Sequence, residues 1–357
     1  MLDNNNVVER EFFRPDLATW WIFCLFVAIC GAGVSIEFAS GFIDTSYTIK
    51  TLIPLFIITA LIFISIILIA DPYKARRNFV LLISFIGGST IATYLSLLGN
   101  GEIDNIVINL LPDGKGLEWS AAIAGPTTEE WSKMLVIILV MLIAYKTLVR
   151  PIHGFLVGAF VGLGFQMFEN VSYATNSALS NANSDLMGAL STTIMRSLVG
   201  ISSHWLYSAI IGVGVAILLN RTIHKKSLKK RILLFIAFYL IGYFCHFIWN
   251  SPLGSSSIIG SLLIPVKVIL WIVILYYVAR YALKEEREYL NQVKDKIDLS
   301  TFKYDKELLS KAILDRKNRK KFYKVFKKEK GKEELKALKN EQNIYLEMLQ
   351  ETGIIRG

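Results

Sequence analysis

Apolar residues in this chain come in runs of about 20 separated by short polar connections, with no strand-like alternation and no narrow helical stripe. A run of that length matches the hydrocarbon thickness of a bilayer when wound as a helix. The pattern predicts about eight spanning helices, near 17–36, 51–70, 79–98, 126–145, 152–172, 193–219, 231–250 and 260–282. The fold class expected is therefore an all-α polytopic membrane helical bundle over residues 1–283. The first run, Leu17 to Ile36, follows Asp3, Glu9 and Glu11 and is too long and wrongly flanked for a cleavable signal peptide, so it stays as a span. Pro126 suits the first turn of the fourth helix, where its missing N–H is not needed. Ile106 to Leu111 reads as a surface loop, apolar enough to touch the interface.

Beyond Leu283 the composition turns charged and lysine-rich, with helical spacing at Leu308, Leu309, Ile313 and Leu314 and an interruption near Gly331. Residues 284–357 are expected to form a basic helical cytoplasmic tail, lying on the anionic leaflet through clusters such as Lys327, Lys328 and Lys330 or standing as a solvated helix pair.

Lysine and arginine decide the orientation, because cytoplasmic loops keep the excess. Lys74, Arg76 and Arg77 follow span two, Lys146 and Arg150 follow span four, and Arg221 to Arg231 follow span six. With Arg10 and Arg14 before span one, both termini fall on the cytoplasmic side. The opposite loops carry Glu37, Asp44, Glu102, Asp104, Asp113, Glu118 and Asp185 against Lys50 and Lys115. Positive loops are expected of any inner-membrane protein, so the net charge of +10 does not call for a nucleic-acid partner. Cys24, Cys30 and Cys245 have no CxxC or Cys/His spacing, which points away from disulfides and thiolate metal sites. Asn170-Val171-Ser172 matches a glycosylation sequon, but at a packed helix end it reads as a chance match.

Against this background the fourth run stands out. In GPTTEEWSKMLVIILVMLIAY it holds Glu129, Glu130 and Lys133, and charge costs roughly 2–4 kcal/mol at the bilayer centre unless it is paired or does chemistry. Either acid reaches Lys133 across one helical turn, which leaves one acid over. Span five offers a ladder of Gly154, Gly158 and Gly162 for close helix packing, then Phe165, Glu169 and Asn170. Span six carries Arg196, His204 and Ser208; span seven ends with His246 and Asn250 on one face. Because the spans alternate in direction, Glu129, Glu130, Glu169, His204, His246 and Asn250 all fall in the outer third of the membrane. Packing accidents would scatter in depth. His153 and His224 lie at the cytoplasmic boundary and read as ordinary solvated histidines.

Two histidines and carboxylates around a wet cavity suit zinc, with three protein ligands and an open position for water. They equally suit metal-free activation of water by a glutamate. No HExxH, GxSxG or phosphate-binding glycine loop is present.

The ordered set Glu129-Glu130-Trp131-Ser132-Lys133, Phe165 to Glu169 with Asn170, His204 with Ser208, and His246 with Asn250 resembles the PrsW family of bacterial intramembrane proteases, itself similar to the CAAX prenyl protease family. The resemblance covers about residues 120–252. It implies an endopeptidase of the bacterial cytoplasmic membrane that cuts membrane-anchored protein substrates within the lipid bilayer. In that reading Glu129 and Glu130 activate water, Glu169, His204 and His246 hold a metal or the water itself, and Asn250 polarises the scissile carbonyl. Lys133 is a structural partner of one acid. Where the CAAX-type pattern has a histidine this chain has Glu169, which speaks against prenylated substrates. The rival readings are a proton-coupled transporter, built from the same buried carboxylates and histidines, and a non-catalytic membrane scaffold.

Overall fold

Inside hydrocarbon a backbone N–H or C=O finds no partner except within its own segment, so long apolar runs fold as helices. The computed structural model describes residues 14–253 and 258–352; the expectations attached to Asp3, Glu9, Arg10 and Glu11 lie outside the described residues. Helices α1 (Ala18–Asp44) and α2 (Ser46–Ile69) lead to α3 (Asn78–Gly87), which passes through a π-helical turn, Gly88–Ala92, into α4 (Thr93–Leu110). Then come α5 (Lys115–Ile143), α6 (Pro151–Ser180), α7 (Asp185–Val199), α8 (His204–Leu218), α9 (Leu228–Asn250) and α10 (Ile258–Val293). The tail holds α11 (Lys306–Ser310), α12 (Arg316–Lys330) and α13 (Lys332–Glu351).

Among the described residues, seven of these stretches are long and apolar enough to cross a membrane: α1, α2, α3 with α4, α6, α7 with α8, α9, and Leu262–Lys296 on α10 and its extension. The α5 helix is as long, but Glu129, Glu130 and Lys133 lie within its apolar part. Side chains such as Leu25, Leu61 and Leu233 stand exposed on the perimeter at 57%, 56% and 65%. A belt of that kind belongs against lipid, since soluble surfaces do not carry contiguous apolar area on this scale. The protein is an integral membrane helical bundle.

Helix α6 is the central post, buried along nearly its whole length. Its glycines let α8 approach to backbone contact: a β-carbon on Gly158 would fall 2.0 Å from the Ser208 carbonyl oxygen, and one on Gly162 2.3 Å from that of His204. This crossing sets the depth of His204 against α6.

Several expectations are corrected. The α5 helix starts at Lys115, so Pro126 is interior rather than in the first turn. Its ring removes the helical hydrogen bond to the Ala122 carbonyl, and two side chains add bonds to neighbouring carbonyls of the same turn, Thr128 to Ala124 O (3.0 Å) and Asn250 to Ala121 O (3.2 Å). Residues 106–110 are not a loop but the end of α4, which runs until Leu111 turns extended before Pro112. Span six is not one helix, because a 3₁₀ turn at Gly200–Ser202 separates α7 from α8. His153 is buried, not solvated, and its Nδ1 accepts from the backbone N–H groups of Val149 (3.0 Å) and Arg150 (3.2 Å) at the start of α6. His224 is solvated as expected, facing Glu288 at 3.2 Å.

In the tail, α10 runs past Leu283 without a break, and Leu290, Leu309, Leu338, Tyr345 and Leu349 form an apolar cluster that also takes in Tyr73 from the loop after α2. Arg150 joins this junction: its Nε donates to Glu286 at 2.5 Å, its guanidinium also meets Gln350, and both charged groups are fully buried.

Candidate active site

The inward face of α5 delivers the charges. Lys133 Nζ donates to Glu130 Oε1 at 2.8 Å and to Glu129 Oε2 at 3.3 Å, and lies 4.0 Å above the Phe165 ring. It also stands 2.8 Å from His204 Nδ1. An ammonium can only donate, so Nδ1 accepts and the proton of the neutral ring is on Nε2. That Nε2–H is donated to Glu169 Oε2 at 2.7 Å. Glu169 is held in turn by Arg196 Nη2 at 2.5 Å; the same guanidinium donates to Asn170 Oδ1 at 2.8 Å and stacks 4.1 Å from the centre of the Tyr173 ring.

His246 follows the same logic on the other side. Its Nδ1 donates to Glu130 Oε1 at 2.9 Å, which leaves Nε2 to accept from Asn250 Nδ2 at 3.2 Å. Each imidazole thus has its N–H anchored on a carboxylate and its lone pair turned inward, where it accepts from Lys133 in one ring and from Asn250 in the other. The two inward nitrogens, His204 Nδ1 and His246 Nε2, lie 3.6 and 3.9 Å from Glu129 Oε2.

Glu129, Glu169, His204, His246 and Asn250 line one cavity of about 230 Å³; Glu130 stands behind it, wholly buried. Ser208 is elsewhere, in the α6–α8 crossing beside Gly162. Gly125 contributes open space: a β-carbon there would lie 3.0 Å from Asn250 Nδ2, 3.5 Å from Glu129 Oε1 and 3.8 Å from His246 Nε2. The sequence reading missed Asn100 and Asp104 on α4, together with Tyr173 and Tyr207, all of which line the cavity. Asn100 and Asp104 are polar residues at helical spacing, a signal hidden once the following residues were read as a loop.

One ligand atom from each of Glu129, Glu130, His204 and His246 can be chosen so that all lie within 4.8 Å of one another. Glu169 stands outside this set. Neutral imidazoles with carboxylate-anchored N–H groups are the usual form of metal-binding histidine. Among the described residues Glu130 Oε2 is buried without a hydrogen-bond partner, so the cluster keeps one acceptor open. The residues therefore fit a divalent metal such as zinc.

Comparison with known families agrees. The chain matches the PrsW family intramembrane metalloprotease over residues 76–279, a stretch that reaches beyond the four motifs to take in α3, α4 and most of α10. Neither the curated proteins nor the solved structures gave a significant match. With more than half of its length matched and a buried Glu/Glu/His/His cluster at the centre of that stretch, the chain belongs to the PrsW family of intramembrane metalloproteases.

Proposed function

We propose that the chain cuts membrane-anchored proteins at a zinc site held by His204 Nδ1, His246 Nε2 and Glu129 Oε2. The observation that carries this reading is the convergence of two imidazole lone pairs on one carboxylate oxygen at 3.6 and 3.9 Å, close to the separation of neighbouring ligands around a tetrahedral zinc, about 3.4 Å. Glu129 thereby takes the place that the sequence had assigned to Glu169, whose carboxylate meets His204 on its N–H side. When bound, zinc supplies Lewis acidity and brings the pKa of a water toward neutrality.

The chain's own groups do the rest. Glu129 Oε1, on the Gly125 side of the carboxylate, accepts the proton of the attacking water. Asn250, in the cavity wall, donates an N–H to the scissile carbonyl oxygen. Glu130 and Glu169 hold the two rings in register.

Orientation follows from the loops. The basic connections after α2, α5 and α8 and the tail face the cytoplasm of a bacterium, the site opens to the outer half of the membrane, and α5 is an eighth span. Substrates then enter from the bilayer as single-span proteins.

The test uses purified protein in liposomes with a single-span reporter. Glu129→Gln should lower cleavage by on the order of a hundredfold or more while the protein stays folded. Chelation should abolish cleavage and zinc restore it. Near wild-type cleavage by Glu129→Gln, or full activity without metal, would overturn the assignment. Gradient-driven uptake without cleavage would return the transporter reading.

A further inference from the structure

The residue that the mechanism leaves without a chemical role is Lys133. Its side chain is fully buried, and its ammonium contacts three of the four residues in the candidate metal cluster: Glu129, Glu130 and His204. The contact with His204 is the informative one, because at 2.8 Å the ammonium sits on the same Nδ1 lone pair that a metal needs. One lone pair serves one acceptor role at a time.

Charge makes the same point. Two carboxylates and one ammonium sum to −1 around neutral imidazoles, and a divalent metal joins a lysine that can shift its ammonium but cannot leave the cluster. Keeping both leaves +1, with two cations sharing a ring nitrogen in a region walled off from solvent, where like charges are poorly screened. We infer that Lys133 is a built-in competitor for the metal: its ammonium occupies the His204 side of the site in the resting enzyme, and loading requires the side chain to swing off Nδ1.

The Glu130 carboxylate, which the ammonium already meets at 2.8 Å through Oε1, gives the displaced lysine its alternative seat. Glu130 Oε2, buried and without a hydrogen-bond partner among the described residues, is an acceptor on that carboxylate available to the moving ammonium. Metal affinity is thus set below what the two histidines and Glu129 alone would give.

The inference rests on the zinc reading above, and its test separates the two. Zinc affinity of the full-length protein is measured by competition with a chromogenic chelator, alongside detergent melting with and without zinc. Lys133→Met, of similar length and uncharged, should bind zinc at least tenfold more tightly than wild type, melt earlier when metal-free, and gain more from zinc. Lys133→Arg keeps a cation at the site and should stay within a few-fold of wild type or weaker. Equal or weaker zinc binding by folded Lys133→Met, with wild type binding normally, overturns the competitor role and leaves the zinc site standing. Absence of zinc binding in both removes both readings. Should Lys133→Met fail to fold without metal, Lys133→Gln is measured instead, with the same tenfold gain expected and an unchanged affinity overturning the inference.

Discussion

Glu169 accepts the Nε2–H of His204 at 2.7 Å, and together with Lys133 on Nδ1 this bond turns the ring's lone pair toward Glu129. On the zinc reading proposed above the carboxylate acts as a positioning group, itself held by Arg196 from a neighbouring helix.

On that reading, removing it should weaken the metal site without dismantling it. Glu169→Ala should reduce zinc affinity about 10- to 100-fold, the usual effect of losing such a partner. His246→Ala should abolish stoichiometric zinc. Chelator competition on the two variants distinguishes the roles: complete loss in Glu169→Ala would make that residue a ligand, as first read from the sequence.

The α6–α8 crossing carries a second expectation. Gly158→Ala drives a β-carbon against the Ser208 backbone 2.0 Å away, and neither helix can yield locally. A destabilisation of about 1–3 kcal/mol should follow, read as earlier melting in detergent. Gly101 is the control: on α4 nothing lies within 4 Å of its β-position, so Gly101→Ala should be neutral or slightly stabilising.

The junction with the tail rests on Arg150 and Glu286, both essentially without solvent contact. Arg150→Met leaves the Glu286 carboxylate buried beside Gln350 with its cation gone. Stability should fall by about 3–5 kcal/mol, and limited proteolysis should release fragments of the region after Leu283 sooner than in wild type. Unchanged melting and proteolysis would mean that the apolar cluster alone holds the tail.

Orientation is checked by labelling in a background where Cys24, Cys30 and Cys245 are replaced. A cysteine at the exposed Asn183 should react with an impermeant reagent from outside, and one at the exposed Ser227 should not. The opposite pattern would turn the cavity toward the cytoplasm and change the class of substrate that can reach it.

By itself the sequence determined what local composition determines. Apolar runs of membrane length make helices, whatever their neighbours do, and buried carboxylates and histidines at one depth announce a site because each carries a desolvation cost that chance does not repeat. Even a local reading failed where a small device interrupts a run: the 3₁₀ turn that ends α7 before His204, and Pro126 tolerated inside α5. Roles within the site were a different matter. Whether Glu129 or Glu169 faces a lone pair, and whether Lys133 serves one acid or three groups, depends on contacts such as Lys133–His204 and Glu130–His246, 71 and 116 residues apart in the chain. His153 and Arg150 show the same limit, since their burial is imposed by the packing of the helix starts and the returning tail. Hydrophobicity is a property each residue carries with it, while a tautomer or a ligand role exists only once distances between helices are set, and the glycine-mediated closeness of α6 and α8 is what sets them.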